Sequence, residues 1–500
     1  KNELNGDEIG LVAYYKLNDG LGNVTVEDNT GNLNNGTLTF MDVDLAWGSG
    51  FEVTTKDVGV VGIASPVNGP DFTSSEMIKV EIQNFAFEEI SNFEVSYVIN
   101  DGEIVTETVT ESILPFTSII YAFELPEDLS SLNELTITAF TELEGDVDAD
   151  NDSYTAHIAE SDRIILFDAV QHNFSAEGQT HSTEIYMPEN LDNYAQVLLH
   201  LSLACPTYGC DPWDQFASIT MKKNGQSYEI ARYITPYGRE WEEGWVFDVT
   251  DFRELLVGKV SFTSFIMVWG ANGWLVNASL ELVEGTPEYK YVKVKEFINL
   301  DYLVYGDPNV SYDIEEATFE IPENTDALKV RLTHTGHGQG NTHNAAEFYE
   351  TYHYLHINDT GSMARHLWKN DCDENECSPQ AGTWEYPRAG WCPGQDVQPF
   401  YFNLNDYITP GEEIKLDYVL QDYTNLLNFG YNDAGHTEPH YKIKAYLVMY
   451  SDEEFTAIDN HAQKELNQIK VYPNPTQGNI YIDLKENTGY ANIHVFDING

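Results

Sequence analysis

YKIKAYLVMY, Tyr441 to Tyr450, sets Tyr441, Ile443, Ala445, Leu447 and Met449 at every second position, with Lys442 and Lys444 between them. A period of two belongs to a strand, whose successive side chains leave opposite faces of the pleat. The same period recurs in MIKVEIQNF (Met77–Phe85), NELTITAF (Asn133–Phe140) and EEATFEIP (Glu315–Pro322), and clusters of Asn, Asp, Gly and Pro separate the runs. No long amphipathic helix accompanies them. The predicted class is therefore all-β, made of antiparallel sandwiches.

At 500 residues the chain exceeds what one hydrophobic core organises, so several domains are expected. Its 82 Asp and Glu against 25 Lys and Arg give a formal net charge of -57. That field repels phosphate backbones and anionic lipid heads, which argues against nucleic acid and membrane surfaces as partners. A solvated acidic surface is the preferred reading of the charge. No stretch of 18 consecutive apolar residues is present, so no membrane insertion is expected. The sequence opens at Lys1 and stops within HVFDING, which reads as a trimmed chain whose targeting segment would lie outside it.

All five cysteines fall between positions 205 and 392, without the paired spacing of a structural zinc site. Disulfides are the expected use, in an oxidising compartment. Cys205 and Cys210 would close a short, stiff loop. Among Cys372, Cys377 and Cys392 one thiol must be left over, and the spacing does not say which.

Composition shifts divide the chain. Residues 1–56 include GLVAYYKLNDGLGNVTVEDNTGNLNNGTL (Gly10–Leu38), which resembles part of a laminin-G or concanavalin-type jelly roll. Residues 57–158 resemble an immunoglobulin-like accessory module, and their run of Asp146, Asp148, Asp150 and Asp152 reads as an acidic turn, since it lacks the Gly and distal Glu of an EF-hand loop. Residues 159–452 hold every cysteine and most of the histidines and tryptophans. From 465 to 500, IKVYPNPTQGNIYIDL (Ile469–Leu484) resembles the start of the C-terminal sorting domain of type IX secretion, which implies a secreted or cell-surface protein.

Three clusters in the 159–452 region carry chemistry. In CPTYGCDPWDQF (Cys205–Phe216) an indole, Trp213, precedes a carboxylate, Asp214. Indole faces stack on sugar rings and carboxylates bind hydroxyl and amide hydrogens, so the pair suits carbohydrate. In HTGHGQGNTHNAAEFYETYHYLHIND, Glu347 sits where a glycine-rich loop gives way to a strand. His334, His337, His343, His353 and His356 invite a metal, but an odd spacing puts His353 and His356 on opposite faces of that strand, and hydrogen-bonding histidines are the preferred reading. In TWEYPRAGWCPG, Arg388 stands near Trp384 and Trp391, either as a rim for polar sugar groups or as a structural arginine stacked on tryptophan.

The motifs CPTYGCDPWDQFASI (Cys205–Ile219), YEIARYITPY (Tyr228–Tyr237), DVTDFRELL (Asp248–Leu256), GTPEYKY (Gly285–Tyr291), AAEFYETYHYLHIN (Ala345–Asn358) and PRAGWCPG (Pro387–Gly394) resemble bacterial peptide-N-glycosidase F in order and spacing. The resemblance implies two tandem antiparallel jelly rolls, 159–287 and 288–452, with a site at their interface. It also implies hydrolysis of the amide that joins an N-linked glycan to asparagine. Asp214 matches the main catalytic carboxylate and Glu347 the second. Trp213, Trp269, Arg388 and Trp391 match substrate-binding positions around the chitobiose core, and a Cys372–Cys392 bridge is implied, leaving Cys377 over. The partners implied are N-linked glycoproteins and glycopeptides, acted on by a monomer that needs no cofactor and no metal. Against the pattern, Met267 stands where the family has a glutamate, Gln215 where it has a basic residue, and Ala345 and Tyr349 where it has cysteines. Glu350, His343 and Asp211 are the candidates to stand in for the lost glutamate. Two other readings remain: a glycan-binding adhesin with a decayed site, and a copper-dependent peptide monooxygenase, whose tandem jelly rolls are similar.

Overall fold

The computed structural model describes residues 11–16, 23–39, 56–69, 72–100, 102–427, 438–455, 470–472 and 481–483. The described regular structure is strands and four short 3-10 turns. The chain divides near Asp162 into two compact units.

In the first unit, a three-stranded antiparallel sheet (Val58–Ser65, Lys79–Asn84, Ser118–Ala122) accompanies a four-stranded one (Val105–Val109, Phe93–Ile99, Glu134–Glu142, Ser153–Ala159). Their alternate residues, among them Val80, Ile82, Val95 and Ile137, fill one apolar core. Asp146 accepts the Val58 and Asp148 N–H groups, each at 3.0 Å, so this part of the acidic run is a hydrogen-bonded turn. Of residues 1–56, where the laminin-G-like segment is expected, residues 11–16, 23–39 and 56 are described. The described part forms a two-residue pairing of Thr25–Val26 with Gly36–Thr37. Of the sorting segment, only the antiparallel pair Lys470–Tyr472 and Tyr481–Asp483 is described.

The second unit contains two eight-stranded jelly-roll-like bodies, each of two four-stranded antiparallel sheets. In the first body one sheet runs Arg163–His172, Trp274–Glu284, Tyr194–Ala204, Trp241–Asp248, and the other Thr180–Met187, Gly258–Ile266, Phe216–Lys223, Gln226–Ile234. In the second body the sheets are Tyr291–Val304, His440–Ser451, Ala327–His337, Phe400–Asn403 and Ala317–Glu320, Glu413–Val419, Thr351–Ile357, Gly361–Leu367.

The strand His440–Ser451 shows what joins them. Tyr441, Ile443, Ala445, Leu447 and Met449 enter the core of the second body. Of the intervening positions, Lys442 is half-buried over the Phe216 ring, and Tyr446 and Tyr450 are buried with partners in the first body. The Tyr446 hydroxyl accepts the Glu229 N–H at 2.7 Å, and its ring packs on Phe252 with centroids 5.5 Å apart. Arg232 crosses the same junction, paired with Glu229 at 2.7 Å and donating to Thr335 Oγ1 at 2.9 Å and to the Lys442 carbonyl at 2.8 Å. The polar half of the alternation is therefore interface, not solvent-facing surface.

Candidate functional site

Asp214 sits between the Cys205–Cys210 loop and the strand Phe216–Lys223. Its backbone is clamped from both sides by Thr235, in the turn that follows the strand Gln226–Ile234. The Thr235 hydroxyl accepts the Gln215 N–H at 2.8 Å and donates to the Trp213 carbonyl at 2.9 Å, while the Thr235 N–H donates to the Gln215 carbonyl at 2.9 Å. Two residues on, the Tyr237 hydroxyl hydrogen-bonds the Asp214 carboxylate. Both residues belong to the YEIARYITPY motif, yet sequence spacing carried no sign of these contacts, because they join segments 20 residues apart.

Glu347 comes from the second body. Its N–H donates to the Gly338 carbonyl at 3.0 Å, and its own carbonyl accepts the Ala389 N–H at 2.8 Å. Close approach of these segments depends on Gly336, where a Cβ would lie 2.8 Å from the Ala389 Cβ and 2.9 Å from the Ala346 carbonyl oxygen. Arg388 in turn exchanges backbone bonds with Lys369 at 2.8 and 3.0 Å, so main chain holds both residues before any side chain is considered.

Arg388 joins the two carboxylates. Its Nε donates to Glu347 Oε1 at 3.1 Å and its Nη2 lies 3.6 Å from Asp214 Oδ2. The guanidinium is fully buried, sandwiched near the rings of Phe348 and Trp391 at 5.0 and 4.9 Å, and also donates to the Tyr386 and Thr383 carbonyls at 2.8 and 2.9 Å. Each carboxylate side chain keeps 15 % exposure, whereas the arginine side chain keeps none.

Burial sets the electrostatics. Desolvation pushes Glu347 up to about 8, with Arg388 opposing and the Asp214 charge adding to the rise. Desolvation likewise raises Asp214, against the Tyr237 hydrogen bond and the Arg388 charge. Two acids this close, sharing one cation, titrate as a pair.

The aromatic residues divide into two roles. Trp213 and Trp269 are 60 % and 61 % exposed and offer free faces. Phe174, which the sequence did not single out, packs on Trp269 with ring centroids 5.2 Å apart and extends that face. Trp391 is 2 % exposed, and its Nε1 donates to the Gly336 carbonyl at 2.7 Å. Arg388 and Trp391, expected at a sugar cleft, are both enclosed here, stacked on one another beside the acids.

The remaining expected residues are scattered in function. Asp211 pins the Trp213 loop to the Trp269 loop: its Oδ1 accepts the Trp213 N–H at 3.0 Å and its N–H donates to the Gly273 carbonyl at 3.0 Å. Met267 packs half-buried against Phe216, Ile234, Trp391 and Val397, an apolar setting for a position expected to want a carboxylate. Glu350 pairs with His366 at 2.7 Å, and His343 stacks on Tyr349. His334 and His353 are buried in the second body, bonded to Tyr418 and Thr351 at 3.0 Å each. Among the described residues no group of three His, Cys, Asp or Glu is arranged to hold a metal. Cys372 pairs with Cys392, and Cys377 is a buried free thiol.

Residues 219–282 match the model described as peptide-N-glycosidase F, N terminal, and residues 305–448 the model of its C terminal, one in each body. The region of the two jelly rolls belongs to the peptide-N-glycosidase F family. A curated relative in that family, the peptide-N(4)-(N-acetyl-beta-D-glucosaminyl)asparagine amidase F of Elizabethkingia miricola, is 29 % identical over 312 residues, covering 59 % of this chain and 85 % of the relative. Among solved structures, PNGase F from Flavobacterium meningosepticum, described as a glycosylasparaginase, matches with a TM-score of 0.54 at 27 % identity over 59 % of this chain and 97 % of that one. A second peptide-N(4)-(N-acetyl-beta-D-glucosaminyl) asparagine amidase structure matches with the same TM-score at 28 % identity, again over 59 % and 97 % of the two chains. Outside the family region, residues 470–500 match the secretion system C-terminal sorting domain, which directs the protein to the cell surface or the medium by the type IX route.

Proposed function

We propose that this protein is an amidase that hydrolyses the glycosylasparagine amide of N-linked glycoproteins and glycopeptides. The observation that carries the reading at the level of the site is the pairing of Asp214 and Glu347, one from each jelly roll, across the single buried Arg388. Amide hydrolysis needs a positioned oxygen nucleophile and a proton for the departing nitrogen. Asp214 is assigned to the reacting centre, where it contacts the glycosidic amide. Glu347, held largely protonated near neutral pH by its burial, acts through a water and supplies the proton. The carbonyl carbon gains a bond to the water oxygen and loses its bond to nitrogen, giving aspartate and a glycosylamine. Trp213 and Trp269, both exposed, serve as platforms for the chitobiose core. Arg388 and Trp391 act through the carboxylates. A single chain supplies every one of these groups, in keeping with action as a monomer.

The test is a digest of an N-glycopeptide in 18O-labelled water. Label in a new aspartate carboxyl, with the whole glycan released, is the expected result. A peptide that keeps one sugar on asparagine would instead identify cleavage between sugars, and an unchanged peptide would leave only binding. Asp214→Asn, isosteric with the native residue, is expected to abolish label incorporation while leaving the fold intact.

A further inference from the structure

A cleft of about 630 Å³ lies far from Asp214, where the linker Gly285–Tyr291 passes between the two jelly rolls. Its size is that of a small-molecule site, roughly 300–1,000 Å³. The strand Tyr194–Ala204 begins beside this cleft and ends at the Cys205–Cys210 loop, so about nine residues at ~3.3 Å each put the two places roughly 30 Å apart. No residue of the cleft belongs to the carboxylate site.

The floor is built and closed. Asp251 accepts from Arg331 at 3.0 Å, from the Tyr401 hydroxyl at 2.7 Å and from the Tyr450 hydroxyl at 2.5 Å. The walls, by contrast, keep unspent groups. The Lys329 ammonium lies over the Tyr450 ring at 4.9 Å, and among the described residues no carboxylate pairs with it. Arg253, also lining the cleft, is nine-tenths buried, donates to the Leu191 carbonyl at 2.5 Å through Nη2, and leaves Nη1 buried without a partner. Tyr289 presents a half-exposed ring beside Tyr450, with centroids 5.3 Å apart, and Glu288 adds an exposed acceptor at the mouth.

Unpaired donors, an acceptor and an aromatic face around one concavity select for a ligand that donates, accepts and carries an apolar ring face. An apolar ligand would strand the ammonium, and a phosphate would meet Asp248, Asp251 and Glu288. We propose that this cleft is a second carbohydrate-binding site, which seats a neutral pyranose on Tyr289 with its hydroxyls on Lys329 and Glu288.

The probe is mannopentaose, a free oligosaccharide without the asparagine amide, titrated calorimetrically into the full chain. Binding to the native protein, weakened at least about tenfold in Tyr289→Ala, is the expected result. Thr286→Trp places an indole across the exposed mouth without touching the floor and is expected to weaken binding equally, so the test survives if Tyr289→Ala misfolds. Asp214→Asn is expected to bind mannopentaose as the native protein does. Native-like binding by Thr286→Trp, or no binding by the native protein, overturns the proposal. Loss of binding in Asp214→Asn alone also overturns it, by placing the sugar at the carboxylates.

Discussion

Arg388 is the residue on which the site turns, because one buried cation serves two acids from different domains. Its fork lets Nε meet Glu347 while Nη2 faces Asp214, a geometry that lysine cannot copy from a single point. Arg388→Lys is expected to lower kcat/KM by about 10²-fold and to destabilise the fold by about 3 kcal/mol, read by steady-state kinetics and chemical denaturation. Glu347 gives a second prediction, in pH. Its folded value of about 8 lies above the ordinary 4.5, so the native state holds a proton that the unfolded state releases between those two values. Stability contributed by this group is therefore complete at low pH and falls as pH rises through the window from 4.5 to 8. Thermal midpoints should decline over that range, and Glu347→Gln should flatten the decline. The same protonation predicts a basic limb near pH 8 in kcat/KM, removed with Glu347; a limb that persists in Glu347→Gln would assign the proton elsewhere.

At the scale of elements, two turns hold the chemistry: the stapled loop before Asp214 and the ITPY turn that grips it. Thr235→Val keeps the shape of the side chain and loses both hydroxyl bonds, at a cost of about 1–3 kcal/mol with a lowered kcat. Since Asp214 would keep its charge, substrate affinity should change less than turnover; an unchanged kcat would show that the Cys205–Cys210 loop positions Asp214 unaided. Strands elsewhere in the chain were legible in the sequence, as the run Met77–Phe85 and the strand Lys79–Asn84 illustrate, because period two is a local property. The roles proposed for Asp214 and Glu347 rest on motif resemblance, to which the structure adds their shared contact with Arg388. What was not legible is who covers whom. Trp391 and Arg388 read equally as a rim or as a buried stack, and only the docking of Glu347 and Phe348 over them decides between the two. Phe174 carried no motif, and its place on Trp269 follows from a loop hydrogen bond, its N–H to the Gly270 carbonyl at 2.9 Å. Met267 has a clear surrounding, yet nothing in the structure identifies a group that replaces the family's glutamate.

At the scale of the whole molecule, the two jelly rolls are locked by buried polar groups as well as by apolar packing. Arg232 with Glu229 lies in one such lock and Arg331 with Asp251 in the other. Arg232→Ala would leave Glu229 buried and unpaired, with an expected loss of about 3–5 kcal/mol measurable by denaturant titration. Activity should fall with it even where both rolls stay folded, since the acids are aligned only when the rolls meet. A variant that is destabilised yet fully active would show that the Arg388 contacts alone keep the rolls in register. That division of the site has a consequence for the cell that makes the protein. Asp214 lies in the half that is synthesised first, Glu347 and Arg388 in the half that follows; under the proposed assignment, a nascent or truncated chain that has completed only the earlier half is expected to be chemically silent until the strand His440–Ser451 closes the later one.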